Sequence, residues 1–238
     1  MITNLIGRAL PVLALAALPL LATPLSAAAD VSHAQQPLRG ASGPSAQVLL
    51  PLFDAIEYIP IAAEHREGYS RTLYKHWNKG LDPSDGCNTR KEVILAEAVE
   101  APQVAAGCVL TGGSWVSKYD NVVVTDAARL DVDHFVPLAE VYDSEQTPWS
   151  PARREAYAND QDSPDTLIAV TAASNRSKAD KDPAEWLPSD TSYHCVYVAT
   201  WVATKLRWEL AADEAERQAL LGLAETCPAA LVSYEPVP

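Results

Sequence analysis

Two carboxylates and an imidazole stand close together in the stretch Leu130–Leu138, which reads Leu-Asp-Val-Asp-His-Phe-Val-Pro-Leu. Asp131 and Asp133 offer hard oxygen ligands for a cation, and His134 is a base that is neutral near pH 7. A carboxylate that holds a metal ion beside a histidine that takes a proton from water is the chemistry of metal-assisted hydrolysis. A solvated strand end would carry the same residues, so this stretch alone leaves both interpretations open.

A second polar group follows 41 residues after His134, in the sequence Ser-Asn-Arg-Ser-Lys. The residues 172–181 are compatible with a helix that carries Asn175 in its early turns and Lys178 three residues later on the same face. The amide oxygen of Asn175 is a further candidate ligand for a metal ion. Arg176 and Lys178 are candidates for contacts with a substrate, and the alternative for Lys178 is a solvent-facing helix lysine.

Two strands must position these groups. Apolar and polar residues alternate over 130–136, which predicts a strand that ends at Val-Pro-Leu because proline cannot continue a ladder. The alternation places Asp131 and Asp133 on one face and His134 on the other, unless a bulge or the strand's end turns the imidazole. The apolar run 167–170 predicts a second, buried strand directly before the helix that carries Asn175.

The order strand, strand, helix resembles the ββα-metal fold of HNH endonucleases. Further motifs are Asp-Gly-Cys-Asn-Thr-Arg, which begins at Asp85, and Asp-Pro-Ala-Glu-Trp-Leu-Pro, which begins at Asp182. Their combination between Tyr69 and Trp208 is similar to secreted bacterial HNH-type proteins related to the C-terminal domain of GmrSD restriction endonucleases. The implied fold class is α+β, with a ββα-metal (HNH/His-Me finger) core, an insertion between its strands and a C-terminal helical hairpin.

The resemblance implies a secreted metal-dependent endonuclease, a hydrolase of phosphodiester bonds in nucleic acid. His134 corresponds to the general base that activates water, and Asp133 and Asn175 correspond to the metal ligands. Mg²⁺ is the implied ion, with Mn²⁺ as the alternative, because two protein ligands plus waters suit a cation that keeps much of its hydration. DNA is favoured over RNA as the substrate, and no protein partner is implied.

Several further residues have implied supporting roles. The Asn-Thr-Arg element places Arg90 near the active face by resemblance, and an arginine at a helix start paired with Glu92 or a nearby aspartate is an equal alternative. Asp131 is expected to support the site rather than bind the metal. Thr166 stands where the HNH motif has its middle Asn, which braces the loop that carries the histidine, so Thr166 or Asp165 is expected to take over that role.

A binding protein is the alternative to an enzyme. An exported adhesion or glycan-binding module that kept a catalytically dead nuclease scaffold would suit the six tryptophans and the acidic composition. Such a module has no need for Asp133, His134 and Asn175 together, which argues against it. A zinc peptidase or cell-wall hydrolase is disfavoured because the sequence has no HExxH motif or comparable ligand cluster.

The N-terminal segment is predicted to direct export. Residues 1–29 combine Arg8, an apolar run over 9–22 and a small-residue cleavage site over 26–29. A membrane anchor is the alternative, but the run is short and is interrupted by prolines. The protein is therefore expected to be extracellular, without stable membrane association after cleavage. Residues 30–45 predict a flexible linker, and 46–238 the nuclease-like domain.

Four cysteines, Cys87, Cys108, Cys195 and Cys227, fit an exported protein. The sequential pairing, Cys87–Cys108 and Cys195–Cys227, closes the shortest loops, and the other pairings or a zinc site remain alternatives. Helices are predicted over about 192–210 and 213–225, the second with a capping box. If they are antiparallel, Cys195 and Cys227 would meet.

The net charge of the chain does not favour binding of nucleic acid. The net charge is −13 and becomes about −14 without the signal segment, which removes only Arg8. A nucleic-acid-binding protein is expected to carry a basic face. The basic residues instead form small groups that are typical of solvated helix faces, so a nuclease would depend on local cations and a bound metal. These groups are Arg153-Arg154, Arg176 with Lys178 and Lys181, and Lys205 with Arg207.

Overall fold

The computed structural model describes residues 47–237. The predicted signal segment 1–29 and linker 30–45 lie outside the described residues, so both remain predictions. Among the helices of the described part, none is long and apolar enough to cross a membrane.

Short strands and helices alternate along this part of the chain. The strands are β1 (Val48–Pro51), β2 (Gln103–Ala105), β3 (Val109–Thr111), β4 (Trp115–Ser117), β5 (Val122–Val124), β6 (Leu130–His134), β7 (Leu167–Thr171) and β8 (Leu231–Tyr234). The α-helices are α1 (Leu52–Glu57), α2 (Thr89–Ala96), α3 (Leu138–Ser144), α4 (Pro151–Ala158), α5 (Ala172–Lys178), α6 (His194–Arg207) and α7 (Glu214–Glu225).

The strands form antiparallel pairs: β1 with β8, β2 with β3, β4 with β5 and β6 with β7. Mixed helices and small antiparallel pairs confirm the predicted α+β class. The two C-terminal helices are also confirmed, with ends within three residues of those expected. At the predicted capping box only one half forms, because Asp213 accepts from the backbone N–H of Glu216 while the Glu216 side chain turns into the core.

The pair β6–β7 and the helix α5 directly after it position the candidate site. Asp131 pairs with Val170 and His134 with Leu167, the last pair of the ladder. The Thr171 side chain accepts from the backbone N–H of Ser174 and so caps α5. α5 ends at Lys178, earlier than the predicted 181, because Ala179 has a positive φ of 52° and leaves the helical conformation.

Apolar side chains cover both faces of β6–β7. One core cluster includes Ile168 and Val170, together with the aromatic rings of Tyr197 and Trp201 on α6. A second cluster packs Leu167 and the rest of that face against α2 and β4. Burial on both faces explains why β7 is a continuous apolar run without alternation. The strand end that carries His134 is therefore held rigidly.

Both predicted disulfides are present. Cys87 is bonded to Cys108 with Cα atoms 5.0 Å apart, and Cys195 to Cys227 with Cα atoms 5.5 Å apart. All four thiols are used, so the zinc alternative is wrong. The second bond joins the start of α6 to the residue shortly after α7, as expected for an antiparallel hairpin.

Candidate active site

A cavity of about 290 Å³ opens where β6 ends and α5 begins. Its wall includes Asp133, His134 and Asn175, the three residues for which the sequence predicts catalysis and metal binding. Asp133 and His134 both line this cavity, although strict alternation would place their side chains on opposite faces of the strand. The full lining is Arg71, Val132, Asp133, His134, Pro137, Leu138, Asn175, Arg176, Ala179 and Asp180.

A backbone carbonyl fixes the protonation of His134. Its Nε2 lies 3.0 Å from the carbonyl oxygen of Ala158, at the end of α4. A carbonyl oxygen can only accept, so Nε2 carries the proton and donates it. In the neutral ring Nδ1 is then the nitrogen with the free lone pair, and no described residue donates a hydrogen bond to it.

Aromatic rings hold the imidazole on both sides. Trp77 is stacked on His134 with ring centroids 5.4 Å apart, and Tyr157 is stacked with centroids 6.1 Å apart. The ring of His76 stands edge-on at 6.0 Å. Trp77 has a φ of 62°, which is unusual for a bulky side chain, and such conformations are found where surrounding structure imposes them.

Burial makes His134 a neutral group. It lowers the pKa of His134 from 6.5 to about 3, and the positive charge of Arg71 contributes in the same direction. The hydrogen bond to Ala158 opposes this shift. The ring is therefore uncharged at neutral pH, and its Nδ1 keeps a free lone pair.

Asp133 is bound to a buried lysine. Lys178 Nζ lies 2.6 Å from Asp133 Oδ2 and 3.1 Å from the carbonyl oxygen of His134, and the Tyr119 hydroxyl donates to the same Oδ2 at 2.8 Å. Lys178 is fully buried, so the interpretation of a solvent-facing lysine is wrong. Burial raises the pKa of Asp133 and lowers that of Lys178, but the two charges oppose both shifts and favour an ion pair.

Asn175 is oriented by the other carboxylate of β6. Its Nδ2 donates to Asp131 Oδ2 at 3.1 Å, which leaves the amide oxygen as its ligand atom. The Asp133 side chain is 9% exposed, and its Oδ1 accepts no hydrogen bond from the described residues. These two oxygens are a donor set that fits a hard cation such as Mg²⁺ with retained waters.

Two arginines supply positive charge at the cavity. Arg176 on α5 was predicted, whereas Arg71 lies in a short 3-10 turn far upstream and carries no motif that would have indicated it. Both side chains are exposed. Asp180, also at the cavity, lies 3.6 Å from Arg66.

Arg90 and Thr166 support the site from outside the cavity. Arg90 donates to the carbonyl oxygen of Leu130 at 2.6 Å, at the far end of β6 from His134, so it positions the strand and does not pair with Glu92. The carbonyl oxygen of Thr166 accepts from the backbone N–H of Phe135 at 2.9 Å, directly after His134.

The Thr166 hydroxyl continues this support. It donates to Asp160 Oδ2 at 3.0 Å, two residues after Ala158. Thr166 therefore connects the strand end with the segment that holds the imidazole, whereas Asp165 lines a different cavity.

Most of the other predicted basic groups are not solvated faces. Lys205 is fully buried between Glu140 and Glu216, and Arg207 is paired with Asp160 at 2.8 Å. Arg154 forms a bidentate ion pair with Glu145, with N–O distances of 2.9 and 2.8 Å. These cations are used within the fold, so they are not available for a nucleic acid.

The described part is thus an α+β protein, linked by two disulfides, with a neutral histidine, a carboxylate and an amide at one cavity. The family described as GmrSD restriction endonucleases, C-terminal domain, matches residues 84–223, more than half of the chain. The chain belongs to this family. The predicted catalytic, metal-binding and supporting residues, from Arg90 to Lys178, lie within the matched range.

A curated relative is similar to most of the chain. An "Uncharacterized secreted protein" of Arthroderma benhamiae is 36% identical over 184 residues, which cover 77% of this chain and 87% of the relative. This organism is a fungus, so the resemblance extends beyond the bacterial proteins that the sequence was predicted to resemble. No solved structure matches the chain.

Proposed function

We propose that the protein is a secreted, metal-dependent endonuclease that hydrolyses phosphodiester bonds of nucleic acid. The family assignment supports nuclease chemistry, and the description of the fungal relative agrees with the export predicted from residues 1–29. The single observation that carries the proposal is His134 at the wall of the cavity, a neutral imidazole with Nε2 fixed as donor and Nδ1 without a hydrogen-bond partner among the described residues.

The proposed reaction begins at Nδ1 of His134. This nitrogen takes a proton from a water molecule whose oxygen attacks the phosphorus atom, and the bond from phosphorus to the leaving oxygen breaks. The neutral imidazole becomes an imidazolium, which returns the proton to solvent or to the leaving group. The ring is held by Trp77, Tyr157 and the Ala158 carbonyl, so little reorganisation is needed when the proton is transferred.

Arg71 and Arg176 bind the phosphate oxygens in this proposal, because both are exposed cations at the cavity. Asp133 Oδ1 and the amide oxygen of Asn175 would hold the divalent cation, and Asp131 orients Asn175. When bound, the cation would neutralise the negative charge that develops on the phosphate and the leaving oxygen. Lys178 fixes Asp133 and the strand end, a positioning role.

The binding-module alternative loses one of its arguments. None of the six tryptophans is an exposed residue: four are buried and two are half-buried. Trp77 and Trp186, the half-buried ones, pack on His134 and Tyr119. The tryptophans therefore serve the core and the site rather than a glycan-binding surface.

A cleavage assay tests the proposal. Purified protein is incubated with plasmid DNA, linear single strands and RNA, each with Mg²⁺, with Mn²⁺ or with a chelator. We expect cleavage of DNA in the presence of either ion and none with the chelator. Cleavage that is unchanged by the chelator, or binding of nucleic acid without cleavage in any ion, would contradict the proposed function.

A further inference from the structure

A second group of acidic side chains lies outside the cavity. Glu64, Glu140 and Asp143 each place a ligand oxygen within 4.8 Å of the other two. Within the described part of the chain, no other three side chains of His, Cys, Asp or Glu lie this close together. Glu140 and Asp143 are three residues apart on α3 and therefore share one face of the helix. Glu64 comes from the segment after α1.

One oxygen of this group has no partner although it is buried. Asp143 is 2% exposed, and its Oδ2 accepts from Arg66 Nε at 2.6 Å. Its Oδ1 is buried and accepts no hydrogen bond from any described residue. A buried, unsatisfied carboxylate oxygen costs free energy, and a bound cation would remove that cost.

The charges around the group do not balance. Lys205 Nζ lies 2.7 Å from Glu140 Oε1 but also 2.6 Å from Glu216 Oε2, so one ammonium serves two carboxylates. Arg66 is likewise shared between Asp143 and Asp180. Among the described residues, four carboxylates thus share the two cations Lys205 and Arg66, and Glu64 has no ion-pair partner, so the group carries excess negative charge that a divalent cation would reduce.

Glu64 is the exposed member and lies at the entrance to the group. The carboxylates of Glu64, Glu140 and Asp143 lie close enough to repel one another, and a cation between them would relieve this repulsion.

We propose that Glu64, Glu140 and Asp143 bind a Ca²⁺ ion at a structural site separate from the cavity that holds His134. The ligands are all carboxylate oxygens, which suit a hard cation, and the exposed side of Glu64 admits the waters that complete six to eight ligands. Mg²⁺ requires a stricter octahedral arrangement, and Zn²⁺ favours nitrogen and sulfur ligands. The ion would tie the segment after α1 to α3, and this proposal does not depend on the nuclease function.

Calorimetric titration of the purified protein with CaCl₂ tests the site, with Glu64→Gln as the variant and Glu67→Gln as the matched control. Glu67 is an exposed glutamate three residues away that is not part of the group. We expect wild type and Glu67→Gln to bind Ca²⁺ with a Kd of about 10⁻⁴ M. Glu64→Gln should bind at least about 10-fold more weakly, because one of three ligands loses its charge.

Thermal unfolding gives a second readout. Millimolar Ca²⁺ should raise the melting temperature of wild type and Glu67→Gln by about 3 °C or more, and that of Glu64→Gln by clearly less. The proposal is overturned if Ca²⁺ neither binds nor shifts melting at 10 mM (about 100 times the expected Kd), or if Glu64→Gln binds as wild type does.

Asn175→Ala separates this site from the cavity. It should keep the Ca²⁺ affinity of wild type, and loss of binding in Asn175→Ala but not in Glu64→Gln would place the cation at the cavity and overturn the proposal. If nucleic acid is not cleaved under any condition, the proposed function fails, while the expected Ca²⁺ titration stays the same.

Discussion

At the scale of single residues, the neighbours of His134 decide which of its nitrogens is the proposed base. The Ala158 carbonyl accepts a hydrogen bond from Nε2, and the rings of Trp77 and Tyr157 stack on the imidazole. Burial keeps the ring neutral. An exposed histidine would interconvert between its two neutral tautomers and would be partly charged near its ordinary pKa of about 6.5. The surroundings therefore convert an ordinary imidazole into a fixed acceptor at Nδ1.

The proposed metal ligand Asn175 is tested by its dependence on ion concentration. Asn175→Ala removes one of two oxygens, so we expect weaker activation by Mg²⁺, with the half-maximal concentration raised about 10-fold or more. Activity should return in part at high Mg²⁺ or Mn²⁺, because Asp133 remains. Cleavage rates are measured over a range of ion concentrations, with Asn121→Ala as a control outside the cavity. An unchanged ion dependence would mean that the ligand lies elsewhere, and Asp131 would then be the next candidate.

Residue types and spacing in the sequence predicted the members of the cavity better than their contacts. Asp133, His134, Asn175 and Arg176 were all identified, because each belongs to a short motif on β6 or α5. Arg71 was missed because it is far upstream in the chain and only the tertiary fold brings it to the site. The burial of Lys178 was also missed, since helical spacing fixes the face of a helix but not what covers that face.

At the scale of elements, the carboxylate of Glu97 connects α2 to β7. Both its oxygens lie near the backbone N–H of Ala169, at 3.0 and 3.1 Å. Ala169 is the partner of Val132 in the ladder, so Glu97 satisfies an N–H at the outer edge of the strand. This contact helps to hold β7 in the register that places Asn175 beside β6.

The pH dependence of stability tests this contact. Burial raises the pKa of Glu97 from 4.5 to about 7 in the folded protein, so the folded state binds more protons than the unfolded state between these values. Glu97 therefore contributes stability at low pH that is lost as the pH rises from about 4.5 to 7.

We expect Glu97→Gln to remove this contribution, because the amide does not titrate. Wild type should lose stability relative to Glu97→Gln as the pH rises. The unfolding free energy of the variant minus that of wild type should therefore increase, by at most about 1.4 kcal/mol per pH unit for one proton. Urea unfolding at pH 5, 6, 7 and 8 measures it. A difference that is constant across this range would show that Glu97 does not titrate as described.

The disulfide of the C-terminal hairpin is a second test at this scale. Cys195 and Cys227 are separated by 32 residues. Replacing both by alanine should cost about 3–4 kcal/mol by the loop-entropy account, or roughly 10 °C in melting temperature. Calorimetry of the double variant beside wild type measures the loss. A change below about 1 kcal/mol would mean that Lys205, Glu216 and the apolar core already hold α6 and α7 together.

The order of elements around the site could be predicted, but the long-range pairing could not. β6, β7, α5, α6 and α7 have clear local periodicity and caps, and they occur where expected. The pair β1–β8 joins residues near both ends of the described part, from Val48 with Tyr234 to Pro51 with Leu231. Strands of four residues whose partner is more than 180 positions away carry too little local signal to be recognised.

At the scale of the whole molecule, the proposed function requires an acidic protein to attract an acidic substrate. The net charge of −13 produces a repulsive field, and the buried pairs of Lys205, Arg207 and Arg154 withdraw cations from the surface. Attraction is then confined to the cavity, where Arg71 and Arg176 are exposed. Binding should depend on a few local contacts and on the metal rather than on a basic face.

The salt dependence of affinity follows from this distribution. With about two to four phosphate contacts, the slope of log affinity against log salt concentration should be roughly −2 to −4 for duplex DNA. Fluorescence anisotropy of His134→Ala with labelled duplex, in a fixed excess of Mg²⁺, measures the slope without cleavage. Arg71→Ala should make it shallower by about 1. A slope near −8 would reveal a basic face that the described surface does not have.

The most direct test of the account compares His134→Ala with His65→Ala in single-turnover cleavage of labelled DNA. His65 is an exposed histidine outside the cavity, so it controls for the loss of an imidazole. We expect His134→Ala to cleave about 10²–10⁴-fold more slowly, with DNA and metal affinity within about twofold of wild type.

Circular dichroism is used to check that both variants are folded. Added imidazole should restore part of the cleavage rate of His134→Ala. His65→Ala should cleave as wild type does. A His134→Ala protein that is folded, binds DNA and cleaves at the wild-type rate would contradict the assignment of His134 as the general base.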